Sequence, residues 1–543
     1  MEGDAAAWIA DTLQWMGRQA DPMESRGAAM LRGPEPALQP PREIDWPPQL
    51  LAAMPEFIQQ FFEQHRDVEQ AAERFDLLGR NLALWLQQYI QRLRADRAGG
   101  EESARAADEV AIGLARLYRA VQPFGRFAAE STLLQTLLAI PSSQSVPLWC
   151  SLMVDAPPAG HHAATAGVET LIRRGGWDAE EMFPQLLAAL DHPSTIAAVL
   201  DLANWCVRNA KLDEHPAADS SERLLKLLVA VAGRLKELET NPLKFGRDVR
   251  DVQRVLDESV ALCIALCDTL GLIGDEEALP ALLEAAGLRH RRIACEAAAA
   301  AARLGEPAAA ELLIALAAEP IARRRVIAYA EELGIADRVD DIYRAPPALA
   351  EADVAVYLSS PETFGLAPRE LELIDDRRLM WPGFSEPQHC YLLRFGYAVE
   401  GGQYSNIAIA GPLVHTFAAD LAELPVMDIY AAFAGWHAEH AEITAAAAAD
   451  LDDTQQQWSD RRREELLAEG FEDIRVEFVG GFFEDRALVG TATRGGQEGA
   501  VVYDSQETLW YPHSGRQRPV GPAEAFDIYK GRRLLRSFNP GLA

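Results

Sequence analysis

Positive charge, cysteine and long apolar runs are all scarce in this sequence. Lys and Arg number 51 against 82 Asp and Glu, a formal net charge of -31 over 543 residues. The acids are spread along the chain rather than gathered in a tail, and such a field repels phosphate backbones and anionic lipid surfaces. Neither nucleic acid nor membrane is expected as a partner. The longest Ala and Leu segments are cut by Glu, Arg or Asp before the roughly 18 to 20 apolar residues that a bilayer crossing needs. The amino-terminal MEGDAAAWIADTLQWMGRQAD carries acids where a signal peptide carries a basic region. The expected location is therefore cytoplasmic.

Six cysteines, Cys150, Cys206, Cys263, Cys267, Cys295 and Cys390, fall mostly in helical apolar patterns and include no CxxC pair. Buried, reduced thiols are expected. Cys263 and Cys267 stand one helical turn apart but lack the further ligands of a zinc site. Also absent are GK[ST], HExxH, GxSxG and a dinucleotide fingerprint after a strand, which removes the enzyme classes that depend on them. Gly480-Gly481 and Gly495-Gly496 precede strands and read as turns. No cofactor is expected.

What is present is helical periodicity. Residues 1–21 carry Trp8, Ile9, Leu13 and Met16 at helical spacing, a short amphipathic helix, and residues 22–48 form a proline-rich linker. From 49 to 342 nearly everything shows apolar stripes at three- and four-residue spacing. Within that range one template recurs: Leu279, Leu282, Leu283 and Ala286, then Ala309, Leu312, Leu313 and Leu316 about thirty residues later. Earlier occurrences are Phe183, Leu186, Leu187 and Leu190, and Val146, Trp149, Cys150 and Met153. Pro147, Pro184 and Pro280 each follow the first template position, where proline starts a helix without losing an internal hydrogen bond. A second apolar helix follows each first one, and Gly274, Gly305 and Gly334 stand at helix ends. The unit is a helical hairpin that buries its faces only by stacking on copies of itself.

Ile273-Gly274-Asp275, Pro280-Ala281-Leu282-Leu283 and Arg323-Arg324 together resemble HEAT-like repeats of the short bacterial type, also found in bilin lyases. The resemblance is specific over Asp275 to Ile335 and looser back to Ser142. It departs in the oversized hairpin between Phe183 and Leu279, in missing turn aspartates, and in an arginine pair displaced to Arg291 and Arg292. It implies a concave surface lined by the second helices.

After residue 342 the texture changes through the boundary-like YRAPPALAEADVAVYLSSPETFG. An α+β domain is expected over 355–450, with a strand alternating at Tyr391, Leu393, Phe395, Tyr397 and Val399 into a Gly401-Gly402 hairpin. A helix and a small antiparallel meander are expected over 454–543. The fold class is thus mainly α: an α-solenoid of stacked helical hairpins followed by a C-terminal α+β region with antiparallel strands.

Two groups of residues invite chemistry. Arg289, Arg291 and Arg292 open one second helix and Arg323, Arg324 and Arg325 the next; stacking would set neighbouring helices about 10 Å apart. Guanidinium groups favour carboxylates and phosphates, so an acidic partner surface is the functional reading, against internal pairing with acids such as Glu296 and Glu319. In GWHAEHAE, His437 and His440 stand three apart on an expected helix, a minority candidate for metal ligation without a third ligand. His161-His162 opens a helix, where adjacent side chains diverge by about 100°, and His513-Ser514 lies in a turn. The reading is a non-catalytic protein-binding scaffold or adaptor with a protein partner. The alternative is an enzyme or enzyme accessory, lyase-like or metal-dependent, with its site in the C-terminal region.

Overall fold

A computed structural model describes residues 100–122, 128–360, 363–399, 402–438, 440–513 and 518–539. The helix expected over 1–21, the linker over 22–48 and the first solenoid helices up to residue 99 lie outside them. The chain divides into two compact units at Leu313 and Ile314.

The first unit is a succession of hairpins: α1 (Gly100–Val121) with α2 (Ala128–Ala139), α3 (Ser145–Asp155) with α4 (His161–Arg174), and α5 (Ala179–Leu186) with α6 (Ile196–Arg208). Then come α7 (Ser221–Thr240) with α8 (Val249–Ile273), and α9 (Leu279–Ala286) with α10 (Arg291–Arg303). First helices pack on first helices, and α4, α6, α8 and α10 follow one another in a second layer. That is a solenoid. The oversized hairpin fills a single place, because α8 packs on both α6 and α10.

The second layer is tight because its residues are small. A Cβ on Gly271 of α8 would lie 2.8 Å from the Cβ of Ala300 in α10, and Ala297 to Ala301 are all buried. Gly274 ends α8 at φ 80° with its N–H on the Leu270 carbonyl, and Gly305 and Gly334 close later helices with positive φ as their spacing predicts. Two template leucines depart from expectation: Leu283 is 41% exposed and Leu312 37%. The first helices α9 and α11 (Pro307–Ala315) are only 8 and 9 residues long. Their buried stripes are narrower than the four-position template.

Between α6 and α8 sits a closed polar group. The His215 Nδ1 accepts from the Ala217 N–H at 3.2 Å, which leaves Nε2 to donate to Asn204 Oδ1 at 3.0 Å. Thr269 Oγ1 donates to the same oxygen at 3.0 Å, and Arg208 pairs with Asp268 alongside. A second proton on His215 would break the Ala217 bond in a buried site. Burial accordingly pushes its pKa down to about 4, against the opposing pull of Asp268.

The second unit begins with the end of α11, followed by α12 (Pro320–Glu332), the single turn α13 (Asp341–Arg344) and α14 (Pro346–Leu358). Most of the boundary-like stretch, Pro346 to Leu358, is therefore helical. Pro346 and Pro347 occupy the first turn, where they are harmless, and Ala350, Val354 and Leu358 pack on Tyr391, Leu393 and Phe395.

Two antiparallel sheets follow. The first runs β1 (Glu370–Met380), β2 (Pro387–Val399), β3 (Gly402–Ala410) and β4 (His415–Thr416), with Val399 opposite Gly402 at the expected hairpin. α15 (Val426–His437) comes next. The second runs β5 (Ile443–Ala447), β6 (Phe471–Phe482), β7 (Asp485–Arg494), β8 (Gln497–Tyr503) and β9 (Thr508–Pro512). Its flanking helices are α16 (Asp453–Ala468) and α17 (Pro522–Phe538).

The order helix, antiparallel sheet, helix occurs twice, and so do some letters. GYAVEGGQ at 396–403 matches GTATRGGQ at 490–497, and Asp428-Ile429-Tyr430 matches Asp527-Ile528-Tyr529. Each tyrosine donates to a carboxylate at 2.9 Å, Tyr430 to Asp375 and Tyr529 to Asp504. The regions expected as two separate designs share one plan. Their closing helices α15 and α17 meet at glycines: a Cβ on Gly435 would strike the Asp527 carbonyl, and one on Gly531 the Ala431 carbonyl. Leu392 and Ile409 from one sheet and Val489 and Val502 from the other complete a shared core around them.

Two outcomes follow for solution measurements. Gly531→Ala should lower stability by about 2 kcal/mol or more in urea titration, since backbone must move to admit the methyl. Because the folded His215 pKa lies below the unfolded value, its contribution is complete above pH 6.5 and is lost as pH falls toward 4. Stability should drop by roughly 3 kcal/mol across that window, and His215→Gln should flatten the profile.

Candidate functional site

The two arginine groups fall in different units and meet different fates. Arg323 is 3% exposed at the start of α12. Its Nε donates to the Ala317 carbonyl at 2.9 Å and Nη1 to the Ala348 carbonyl and Glu351 Oε2, each at 2.6 Å. Arg324 places both fork nitrogens on Asp353, and Arg325 lies over the Tyr329 ring with Nη2 3.1 Å from its hydroxyl. Glu351 and Asp353 both lie on α14. Arg323 and Arg324 thus fasten α12 to α14, and Arg323, expected on a partner surface, is buried instead, whereas the Arg324 side chain stays half-exposed.

Arg289, Arg291 and Arg292 are exposed around the start of α10. The turn that presents them is fixed from behind. Arg289 N–H donates to Glu239 Oε1 of α7 at 2.7 Å, and the His290 ring caps the helix by accepting from the Ile293 N–H. Burial, with Arg292 beside it, pushes the His290 pKa down to about 4, so the cap stays a neutral acceptor. The first turn of α10 contains no acidic residue. Cations there oppose the positive end of the helix dipole by about 0.3–1 kcal/mol each. An anion arriving from outside would relieve that repulsion.

The histidine pair is rearranged. α15 ends at His437, and Ala438 is already extended at ψ 105°. The three-residue helical spacing assumed for His437 and His440 therefore does not exist. His437 Nδ1 accepts from Trp381 Nε1 at 3.3 Å and its ring stacks on Phe384. His440 packs on Phe483, with ring centroids 4.9 Å apart, and its Nδ1 accepts from the Glu442 N–H. Among the described residues, no three His, Cys, Asp or Glu side chains gather to hold a metal ion. A surface hollow of about 470 Å³ lies here, lined by Ala438, His440, Ala441 and Ile443.

His161 and His162 open α4 as expected, yet their rings meet, with centroids 3.9 Å apart. Ser514 lies outside the described residues. All six cysteines are buried and free. Burial pushes the Cys150, Cys206 and Cys390 thiols up to about 12, so these three are poor nucleophiles.

Comparison with known proteins agrees with the hairpin geometry. The HEAT repeat family matches residues 252–334, which run from α8 through α12. The protein is a HEAT-like repeat protein over that segment, and the C-terminal region is unrecognised. No curated protein and no solved structure matches the chain. Among the described residues, no helix is long and apolar enough to cross a membrane.

The contrast between the arginines is measurable. Arg323→Ala should cost about 3–5 kcal/mol by urea titration, because it strands Glu351 and several carbonyls. Arg292→Ala should change stability by no more than about 0.5 kcal/mol.

Proposed function

We propose that this protein is a non-catalytic protein-binding scaffold whose HEAT-repeat surface takes an acidic segment of a partner at Arg289, Arg291 and Arg292. HEAT repeats commonly serve as interaction scaffolds, because stacked hairpins offer a long, rigid surface. The observation that carries the reading is the exposed, acid-free first turn of α10, held in place by Glu239 and His290. Three guanidinium groups at a positive helix end suit a carboxylate-bearing chain, which gains both charge-assisted hydrogen bonds and the relief of repulsion. In a protein of net charge -31 this local positive field also sets the orientation of approach.

The test is affinity capture from a native lysate with the intact chain and with Arg289→Glu/Arg291→Glu/Arg292→Glu. Recovery of the specific partner should fall at least tenfold in the triple variant, and wild-type recovery should weaken with added salt. Equal recovery by the two proteins would remove the arginine face from the account.

A further inference from the structure

The hollow beside His440 suggests a second recognition site, of opposite polarity and independent of the arginine reading. We propose that it takes an arginine or lysine side chain from a basic, partly apolar partner peptide. Its lining is small and apolar at Ala438, Ala441 and Ile443, with the His440 imidazole at one side. The Phe483 ring packs on that imidazole and is 45% exposed; Phe384, 38% exposed, stacks on His437 one residue before Ala438. Two half-exposed phenyl rings therefore pack on histidines, one lining the hollow at His440 and one at His437 next to Ala438.

Phe483 is presented there against its own backbone preference. It stands at the tip of the β6–β7 hairpin, where Phe482 pairs with Asp485, and has φ 55°. That left-handed conformation suits Gly, Asn or Asp and is costly for a bulky side chain. Strain of this kind persists where the surroundings impose it, and here its result is an aromatic face turned partly to solvent.

Charge selects the occupant. Glu442 is tied to the ring residue, its carbonyl accepting from the Phe483 N–H at 3.2 Å, and Glu484 is the next residue along the tip. Both are exposed, as is Glu386 two residues after Phe384, whereas Asp485 is already engaged by Arg533. A phenyl face attracts ammonium or guanidinium, and exposed acids at 442 and 484, next in the chain to the lining and to the ring, favour a cation over an anion. The alkyl stem of such a side chain can lie along the alanine lining of this open hollow.

The test uses the full-length protein and a dye-labelled peptide of alternating Arg and Leu, followed by fluorescence anisotropy at physiological salt, with a Glu-Leu peptide as its charge-inverted counterpart. The Arg-Leu peptide should bind and the Glu-Leu peptide should not. Phe483→Asn, which suits the left-handed backbone, should raise Kd at least tenfold while the melting temperature holds. Glu442→Lys/Glu484→Lys should do the same, and it carries the test should Phe483→Asn disturb folding. Asp213→Lys/Glu214→Lys, an equal reversal in the first unit, should leave Kd within twofold. Absence of wild-type binding, equal affinity for both peptides, unchanged Kd in the site variants, or an equal loss in the control pair would each overturn the proposal.

Discussion

Two helices reach backbone contact only where neither carries bulk at the crossing, and both units of this protein are built on such approaches. In the first, Gly271 of α8 faces Ala300 of α10, and the poly-alanine body of α10 is buried. In the second, Gly435 and Gly531 let α15 and α17 touch between two sheets. Close packing of this kind gains dispersion energy over many small contacts and leaves little room for substitution. It also confines chemistry to the edges. A helix buried on most sides has only its ends and turns available to the outside, and the exposed arginines of α10 lie there.

The two arginine groups show how identical residue types divide between a packed interface and an exposed helix start. Arg323 is buried among carbonyls and Glu351, and the next repeat in space uses it as a fastener. Arg289, Arg291 and Arg292 sit one hairpin earlier, exposed, around a helix start whose first turn holds no acidic residue. The difference comes from what α14 supplies, namely Glu351 and Asp353 at the right height. The C-terminal region shows a comparable division. Its repeated Asp-Ile-Tyr segments anchor each closing helix through a tyrosine-to-carboxylate bond, while Phe384 and Phe483 remain half-exposed.

Much of the repeat architecture was legible because its signals are local. Pro280 at a helix start, Gly274, Gly305 and Gly334 at helix ends and the recurring leucines all act within a turn or two of the chain. What escaped depends on tertiary context. Pro346 and Pro347 lie in the stretch that reads as a boundary, but they begin α14. β1 mixes charges with a bulge between Leu373 and Asp375, which breaks the alternation that marks a strand. α17 went unseen although Pro522 and the Gly521–Glu524 capping arrangement announce it, because its Arg532-Arg533 pair interrupts the apolar stripe. Those arginines pair with Asp428, Glu507, Asp485 and Asp504, acids distant in sequence. For the candidate site, the arginines were visible as letters, but no sequence pattern separates Arg323, buried by α14, from Arg292, left outside.

On the proposed function, a partner engages the repeat surface at the start of α10. Hydrogen–deuterium exchange of the intact protein, alone and saturated with its captured partner, tests this. Partner binding should slow exchange of the amides from Gly287 to Ile293, at the turn fixed by Glu239 and His290. Unchanged exchange across that turn, with protection confined to other segments, would contradict it.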